Sequence, residues 1–167
     1  MNKPLQFTQD YNTYPINKLI KPEFDIKKNI TGIDKMKLQA CIKLAGYGII
    51  CTSGSEVIDG WKRVEIIKEC NLYTEVDVLD YGKISIAKKV LLRRILNHQW
   101  SDIDAIELSK MLKNEVLKEF SIIKLSNYFP EDQHIIKELS TLIDFDWKDF
   151  DKHHPDTVMK KFSFGEE

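Results

Sequence analysis

The amino-acid sequence predicts an all-α fold, a single-domain bundle of five or six helices preceded by an extended N-terminal arm. Hydrophobic residues make up 43% of the 167 residues and charged residues 31%, a composition typical of a globular domain. Apolar residues recur at helical spacing in most segments after residue 34. Prolines near the N-terminus, by contrast, disfavour helix there. They are Pro4, Pro15 and Pro22.

Residues 1–33 are expected to form the arm. Its aromatic and aliphatic side chains, among them Phe7, Tyr11 and Phe24, indicate that the arm packs against the body of the protein. Residues 34–167 are expected to form a helical domain that ends in an acidic C-terminal segment.

The first helix is predicted from Asp34 to about Tyr47, where apolar residues occupy nearly every side, as in a central helix. Ser53 and Glu56 have the spacing of a capping box, which predicts that a second helix begins there. The apolar face of this helix would consist of Val57, Trp61, Val64 and Ile67.

Residues 72–84 are ambiguous, and a small β-hairpin is the alternative to a loop with a helical turn. Residues 84–96 predict an inner helix, because they are almost wholly apolar between their basic side chains. Ser101 and Asp104 indicate the start of a helix that keeps its period for about five turns. A last helix is predicted to open at Pro130.

The charge balance argues against nucleic acid as a partner. The chain has 25 Lys+Arg against 26 Asp+Glu, for a formal net charge of −1, without the basic footprint of a DNA-binding protein. The charges are distributed unevenly, however. Residues 83–124 are mildly basic, and residues 131–167 are acidic.

Residues 144–151 alternate carboxylates with large aromatic side chains. This pattern is typical of a surface that docks onto a basic partner, since an aromatic anchor ringed by charge gives both affinity and steering. The predicted partner-binding residues are Asp144, Asp146, Trp147, Asp149, Asp151 and Asp156.

The adjacent His153 and His154 open an alternative, because imidazole and carboxylate side chains can bind a metal ion. Pro155 follows at once and no second group of ligands lies upstream, so neither a metal nor a cofactor is predicted. No nucleophile motif occurs, and the chain is predicted not to be an enzyme. A helical metal-dependent or phosphate-handling enzyme using His153, His154 and the nearby aspartates is the alternative.

A second alternative is a nucleic-acid-binding regulator that uses the basic stretch from Lys88 to Arg94. Its four cations could contact a few phosphates. They could equally pair with carboxylates of the same molecule. The four cations are Lys88, Lys89, Arg93 and Arg94.

The sequence predicts a cytoplasmic protein with no membrane partner. The N-terminus lacks the apolar core of a signal peptide, and the longest apolar run is too short to span a bilayer. The three cysteines show neither a disulfide framework nor metal-ligand spacing.

In size, helical character and charge layout the sequence resembles bacterial immunity proteins, in particular those paired with contact-dependent growth inhibition toxins. The resemblance implies a protein that binds one cognate toxin domain, such as a nuclease, and occludes its active site. The acidic residues of 144–156 would then meet a basic surface on the toxin.

Overall fold

A computed structural model describes residues 6–97 and 103–142. Its central feature is a four-stranded mixed sheet with strand order β1-β4-β2-β3, so the prediction of an all-α bundle is wrong. The strands are β1 (Asp10–Pro15), β2 (Ile50–Ser53), β3 (Glu56–Asp59) and β4 (Glu75–Asp80).

Helices surround this sheet and continue beyond it. A short 3₁₀ turn, Ile16–Lys18, follows β1, and a π-helical segment, Leu112–Val116, connects α4 to α5. The α-helices are α1 (Gly32–Ala45), α2 (Trp61–Cys70), α3 (Ile86–Leu96), α4 (Ala105–Met111), α5 (Leu117–Glu119), α6 (Ile122–Leu125) and α7 (Gln133–Thr141).

The pair Ser53 and Glu56 forms part of a β-hairpin instead of capping a helix. The two residues are opposite each other in the antiparallel β2–β3 ladder, and Gly54 takes a φ of 62° in the turn between them. Val57 therefore lies in a strand, and the helix that follows begins only at Trp61. Both Val57 and Ile58 are buried, as expected of a strand that is covered on both faces.

Within the ambiguous stretch 72–84, the structure has one strand, β4. This strand pairs with segments distant in the sequence and does not form a local hairpin. β4 is antiparallel to β1 and parallel to β2. Val76 and Val78 face the core, while the alternate residues Glu75 and Asp77 are exposed. The N-terminal residues thus contribute an edge strand. The proposed division between residues 1–33 and 34–167 stays a prediction.

Asp80, at the end of β4, connects three segments through hydrogen bonds. Its Oδ1 accepts from the backbone N–H groups of Gly54 at 2.8 Å and Gly82 at 3.0 Å. Its Oδ2 accepts from the Asn12 amide and the Tyr14 hydroxyl, both at 3.3 Å. Burial, with a further contribution from the Asp80 charge, raises the pKa of Tyr14 above its usual value.

The buried apolar residues form two main clusters. One lies between the sheet, α1 and α2, and includes Ile42, Ile50 and Val64. The other lies among α3 and the later helices, and includes Leu91 and Leu112. The predicted five-turn helix is interrupted, because Phe120 is extended and the Ser121 hydroxyl caps a new helix. No helix within 6–97 or 103–142 is long and apolar enough to cross a membrane.

Two buried arginines of α3 connect these regions. The Arg94 guanidinium forms an ion pair with Glu131, just before α7, and its Nε donates to the same carboxylate at 3.1 Å. Arg93 donates to Asp25 Oδ1 and to the Ile58 carbonyl, both at 2.6 Å. The α3 helix therefore contacts the sheet, the N-terminal segment and the later helices through charged side chains.

We predict that Glu131→Gln lowers the free energy of unfolding by about 3–5 kcal/mol, because it leaves the Arg94 charge buried without its counter-charge. The double variant Arg94→Met/Glu131→Leu should recover most of this loss. Lys110→Met, which removes an exposed ion pair with Glu107, is the control and should cost less than about 1 kcal/mol. Urea unfolding measures all three. Equal losses for Glu131→Gln and Lys110→Met would contradict the role given to the buried pair.

Candidate functional site

A cleft of about 240 Å³ lies where β3 ends and α2 begins. The segment Asp59–Arg63 lines it together with residues of the N-terminal segment, α1 and α3. The lining residues are Lys27, Ile30, Leu38, Asp59, Gly60, Trp61, Lys62, Arg63 and Arg93.

Gly60 makes the turn from strand to helix. Its φ of 99° and ψ of 10° lie in the left-handed region, which favours glycine. It is the N-cap of the ten-residue helix α2 and provides no side chain to cap the helix. The amides of Trp61 and Lys62 therefore begin the helix at the cleft without intrahelical partners, and the positive end of the helix dipole favours an anion there.

Arg63 folds back beside the same turn. Its Nη1 donates to the Tyr47 carbonyl at 2.7 Å, and its Nη2 lies 3.5 Å from Asp59 Oδ2. A Cβ atom on Gly60 would meet Arg63 Nη2 at 3.0 Å, and one on Gly48 would meet Nη1 at 2.9 Å. Two glycines thus allow the guanidinium to approach the backbone closely.

Arg93 reaches the cleft from α3 with a side chain that is only 3% exposed. Burial lowers the pKa of its guanidinium below the usual value, and the nearby carboxylates of Asp25 and Asp59 oppose that shift. An arginine remains protonated in a protein even so, and Arg93 therefore contributes a positive charge to the lining of the cleft.

Two residues that line the cleft each have a buried side-chain N–H group with no acceptor among the described residues. The two groups are Trp61 Nε1 and Arg93 Nε. Trp61 is 9% exposed, so water solvates its indole N–H poorly. Because buried donors are nearly always paired, two such donors in one cleft indicate a site for a ligand that accepts hydrogen bonds.

The charges of the cleft indicate the same kind of ligand. Four cationic side chains line it against the single carboxylate of Asp59, counting the described lining residues. They are Lys27, Lys62, Arg63 and Arg93. Backbone N–H groups at a helix N-terminus, a buried arginine and lysines together suit a phosphate group, which has several acceptor oxygens and a negative charge.

The basic stretch from Lys88 to Arg94 does not form an exposed cationic face. Lys89 pairs with Glu56 and Lys88 lies 3.8 Å from Glu119. Arg93 and Arg94 are buried in the ion pairs described above. Of this stretch, Arg93 takes part in the candidate site as a wall of the cleft.

The predicted partner-binding residues lie outside the described residues, as do His153 and His154. Those residues, Asp144, Asp146, Trp147, Asp149, Asp151 and Asp156, remain predictions. Within the described part of the chain, no group of three or more His, Cys, Asp and Glu side chains could hold a metal ion.

Sequence reasoning missed the cleft because the predicted second helix begins at the Ser53–Glu56 pair and runs straight through Gly60. The signal was nevertheless present: a short apolar run, Val57 and Ile58, is followed by Asp59, Gly60 and two basic residues. Glycine between a buried strand and a helix N-terminus is typical of phosphate-binding turns.

These features define an α/β domain with a cationic cleft at a strand-to-helix turn, and the fold is that of the ParB N-domain. The structure of the pNOB8-like ParB N-domain matches with a TM-score of 0.59 and 16% identity, covering 96% of this chain and 74% of that one. A second structure of that domain matches with a TM-score of 0.54 and 18% identity; it covers 74% of this chain, which spans only 50% of its length.

The third structure is the C-terminally truncated chromosome-partitioning protein ParB from Caulobacter crescentus, complexed to the centromeric parS site. It matches with a TM-score of 0.57 and 13% identity, covering 83% of this chain and 76% of that one. No protein-family profile matches the chain. No curated protein matches it in sequence either.

These matches correct the functional prediction. The structural neighbours are ParB N-domains and not immunity proteins, so the resemblance to contact-dependent growth inhibition immunity proteins is wrong, as is the predicted toxin partner. The sequence argument against a nucleic-acid partner also fails, because the nucleic-acid alternative fits this fold better. The Caulobacter crescentus neighbour is named as a chromosome-partitioning protein, in agreement with the prediction that this chain is not an enzyme.

We predict that Gly60→Ala destabilises the protein by more than Gly82→Ala does. Both positions have positive φ, 99° and 64°, so each substitution carries a backbone penalty of about 1–2 kcal/mol. A Cβ on Gly82 meets nothing within 4 Å, whereas one on Gly60 meets Arg63 at 3.0 Å. Urea unfolding compares the two variants. Equal losses would contradict a requirement for close approach of Arg63 to Gly60.

Proposed function

We propose that this chain acts as a DNA-partition protein of the ParB type, working on DNA in the cytoplasm. The support is its fold, shared with a partition protein that was solved on its centromeric DNA site. In this proposal DNA is the macromolecular partner, in place of the toxin predicted from the sequence. The ion-paired residues of α3 do not provide the DNA contact.

The cleft would bind the phosphate groups of a nucleotide. The observation that carries this assignment is the pair of unpartnered buried donors, Trp61 Nε1 and Arg93 Nε, beside the N-terminus of α2. At about 240 Å³ the cleft is smaller than the roughly 300–1,000 Å³ of sites that enclose a drug-sized ligand. It therefore suits the phosphate portion of a nucleotide, with the sugar and base outside.

The α3 helix would transmit the state of the cleft to the later helices. Arg93 faces the cleft, and the next residue, Arg94, is bound to Glu131 just before α7. A phosphate that accepts from Arg93 would add a third partner, besides Asp25 and the Ile58 carbonyl, and hold α3 more firmly. Since Arg94 belongs to the same helical turn, the position of α7 would depend on the ligand.

Chromatin immunoprecipitation of the full chain in its own cells tests the partition function. A ParB-type protein should be enriched sharply at one or a few loci, because partition requires a centromere-like site. Recovery of DNA evenly from the whole genome, or of no DNA, would contradict the proposal.

Calorimetric titration of the full chain with the common nucleoside triphosphates tests the ligand. We expect one of them to bind, and Trp61→Phe to weaken that binding by about 10-fold or more, because a hydrogen bond to a charged group contributes about 1.5–3 kcal/mol. The substitution removes a donor that has no partner among the described residues, so the fold should persist. Tyr73→Phe, outside the cleft, is the matched control and should bind normally. Equal affinity of Trp61→Phe and the unaltered chain would contradict the role of the indole.

A further inference from the structure

The α1 helix exposes an apolar stripe that the fold leaves uncovered. Among its residues, Ile33 is 67% exposed, Met36 72% and Leu44 90%, and Ala40 is exposed as well. At about 100° per residue these four side chains fall on one face of the helix. The opposite face carries Ile42, which is 1% exposed and packs in the core between α1, α2 and the sheet.

Basic residues flank this stripe on both sides. Lys37 lies along one edge and Lys43 along the other, and both are exposed. The acidic residue of the helix, Asp34, is engaged at its start, where it accepts a 2.5 Å hydrogen bond from the Thr31 hydroxyl. The exposed face of α1 is therefore apolar along its centre and positive along its edges.

A second α1 helix is a poor occupant of this surface. Two copies packed stripe to stripe would bring Lys37 and Lys43 of each helix together, and like charges in close contact destabilise an interface. The complementary surface has aromatic or aliphatic side chains between carboxylates.

The chain contains one segment of that description. Residues 144–151 alternate four aspartates with Phe145, Trp147 and Phe150, and a lysine is their only cation. The segment begins two residues after Leu142, where the described part of the chain ends. Residues 143–156 can extend over about 45 Å, which is comparable with the roughly 40 Å diameter of a domain of this size.

We propose that residues 144–151 dock on the exposed face of α1 in the same molecule, with their aromatic side chains on the stripe and their aspartates toward Lys37 and Lys43. The covalent connection through α7 favours docking within one molecule, since a short tether gives a high effective concentration. The acidic-aromatic segment then has a partner inside its own chain.

Zero-length cross-linking of the full chain with a water-soluble carbodiimide tests this docking, because the reagent joins only carboxylates and amines that are in contact. We expect monomeric protein to contain cross-links from Lys37 or Lys43 to aspartates of 144–151, identified by peptide mass spectrometry. Cross-links found only in covalent dimers, cross-links of these aspartates to other surfaces, or no such cross-links would each overturn the proposal.

A pair of variants separates docking from random contact. Met36→Ser/Leu44→Ser removes two exposed apolar side chains and should abolish these cross-links while circular dichroism shows the fold retained. Ile123→Ser, at a residue that is 67% exposed on α6, is the matched control and should leave them unchanged. Persistence of the cross-links in the α1 double variant would overturn the role of the stripe. The cross-linking experiment contains neither nucleotide nor DNA. Its outcome therefore does not depend on whether the proposed function is correct.

Discussion

The rest of the structure depends on two consecutive buried arginines of α3. Neighbouring residues of a helix point about 100° apart, so Arg93 and Arg94 contact different parts of the protein. Arg93 is bound to Asp25 and to the end of β3, and Arg94 is bound to Glu131. A buried guanidinium without its partner is strongly destabilising. The N-terminal segment, the sheet and the later helices must therefore all be in place around one helix.

The same buried arginines also determine which hydrogen-bond donors the cleft offers to a ligand. Arg93 uses one N–H of each Nη atom for Ile58 and Asp25, and its buried Nε has no partner among the described residues. Across the cleft, Gly60 allows α2 to begin with free amides and lets Arg63 lie against the backbone. A phosphate would thus meet donors from two helices that are fixed by interactions elsewhere. In a partition protein of the ParB type, such a site would connect nucleotide binding with the arrangement of the later helices.

The sequence predicted local structure better than tertiary structure. The apolar residues of 84–96 and the start signal at Pro130 predicted two helices that the structure contains, α3 and α7. Both signals depend only on residues close together in the chain. The Ser53–Glu56 spacing fits a helix cap and a tight hairpin equally, and only the distant strand β4 decides between them. The ion-pair partners of Arg94 and Arg93 are 37 and 68 residues away, so the charge pattern could not distinguish a buried pair from an exposed basic face. Size and helicity, on which the resemblance to immunity proteins rested, are shared by many folds.

The central claim is that α3 connects the cleft to the helices beyond it. Hydrogen–deuterium exchange of the full chain, with and without the nucleoside triphosphate that binds, tests it most directly. We predict that the nucleotide slows exchange at residues 60–64 and, through Arg93 and Arg94, also at the start of α7 near Ile136. Protection that is confined to the cleft would contradict the claim, because the ligand would then bind without affecting the later helices.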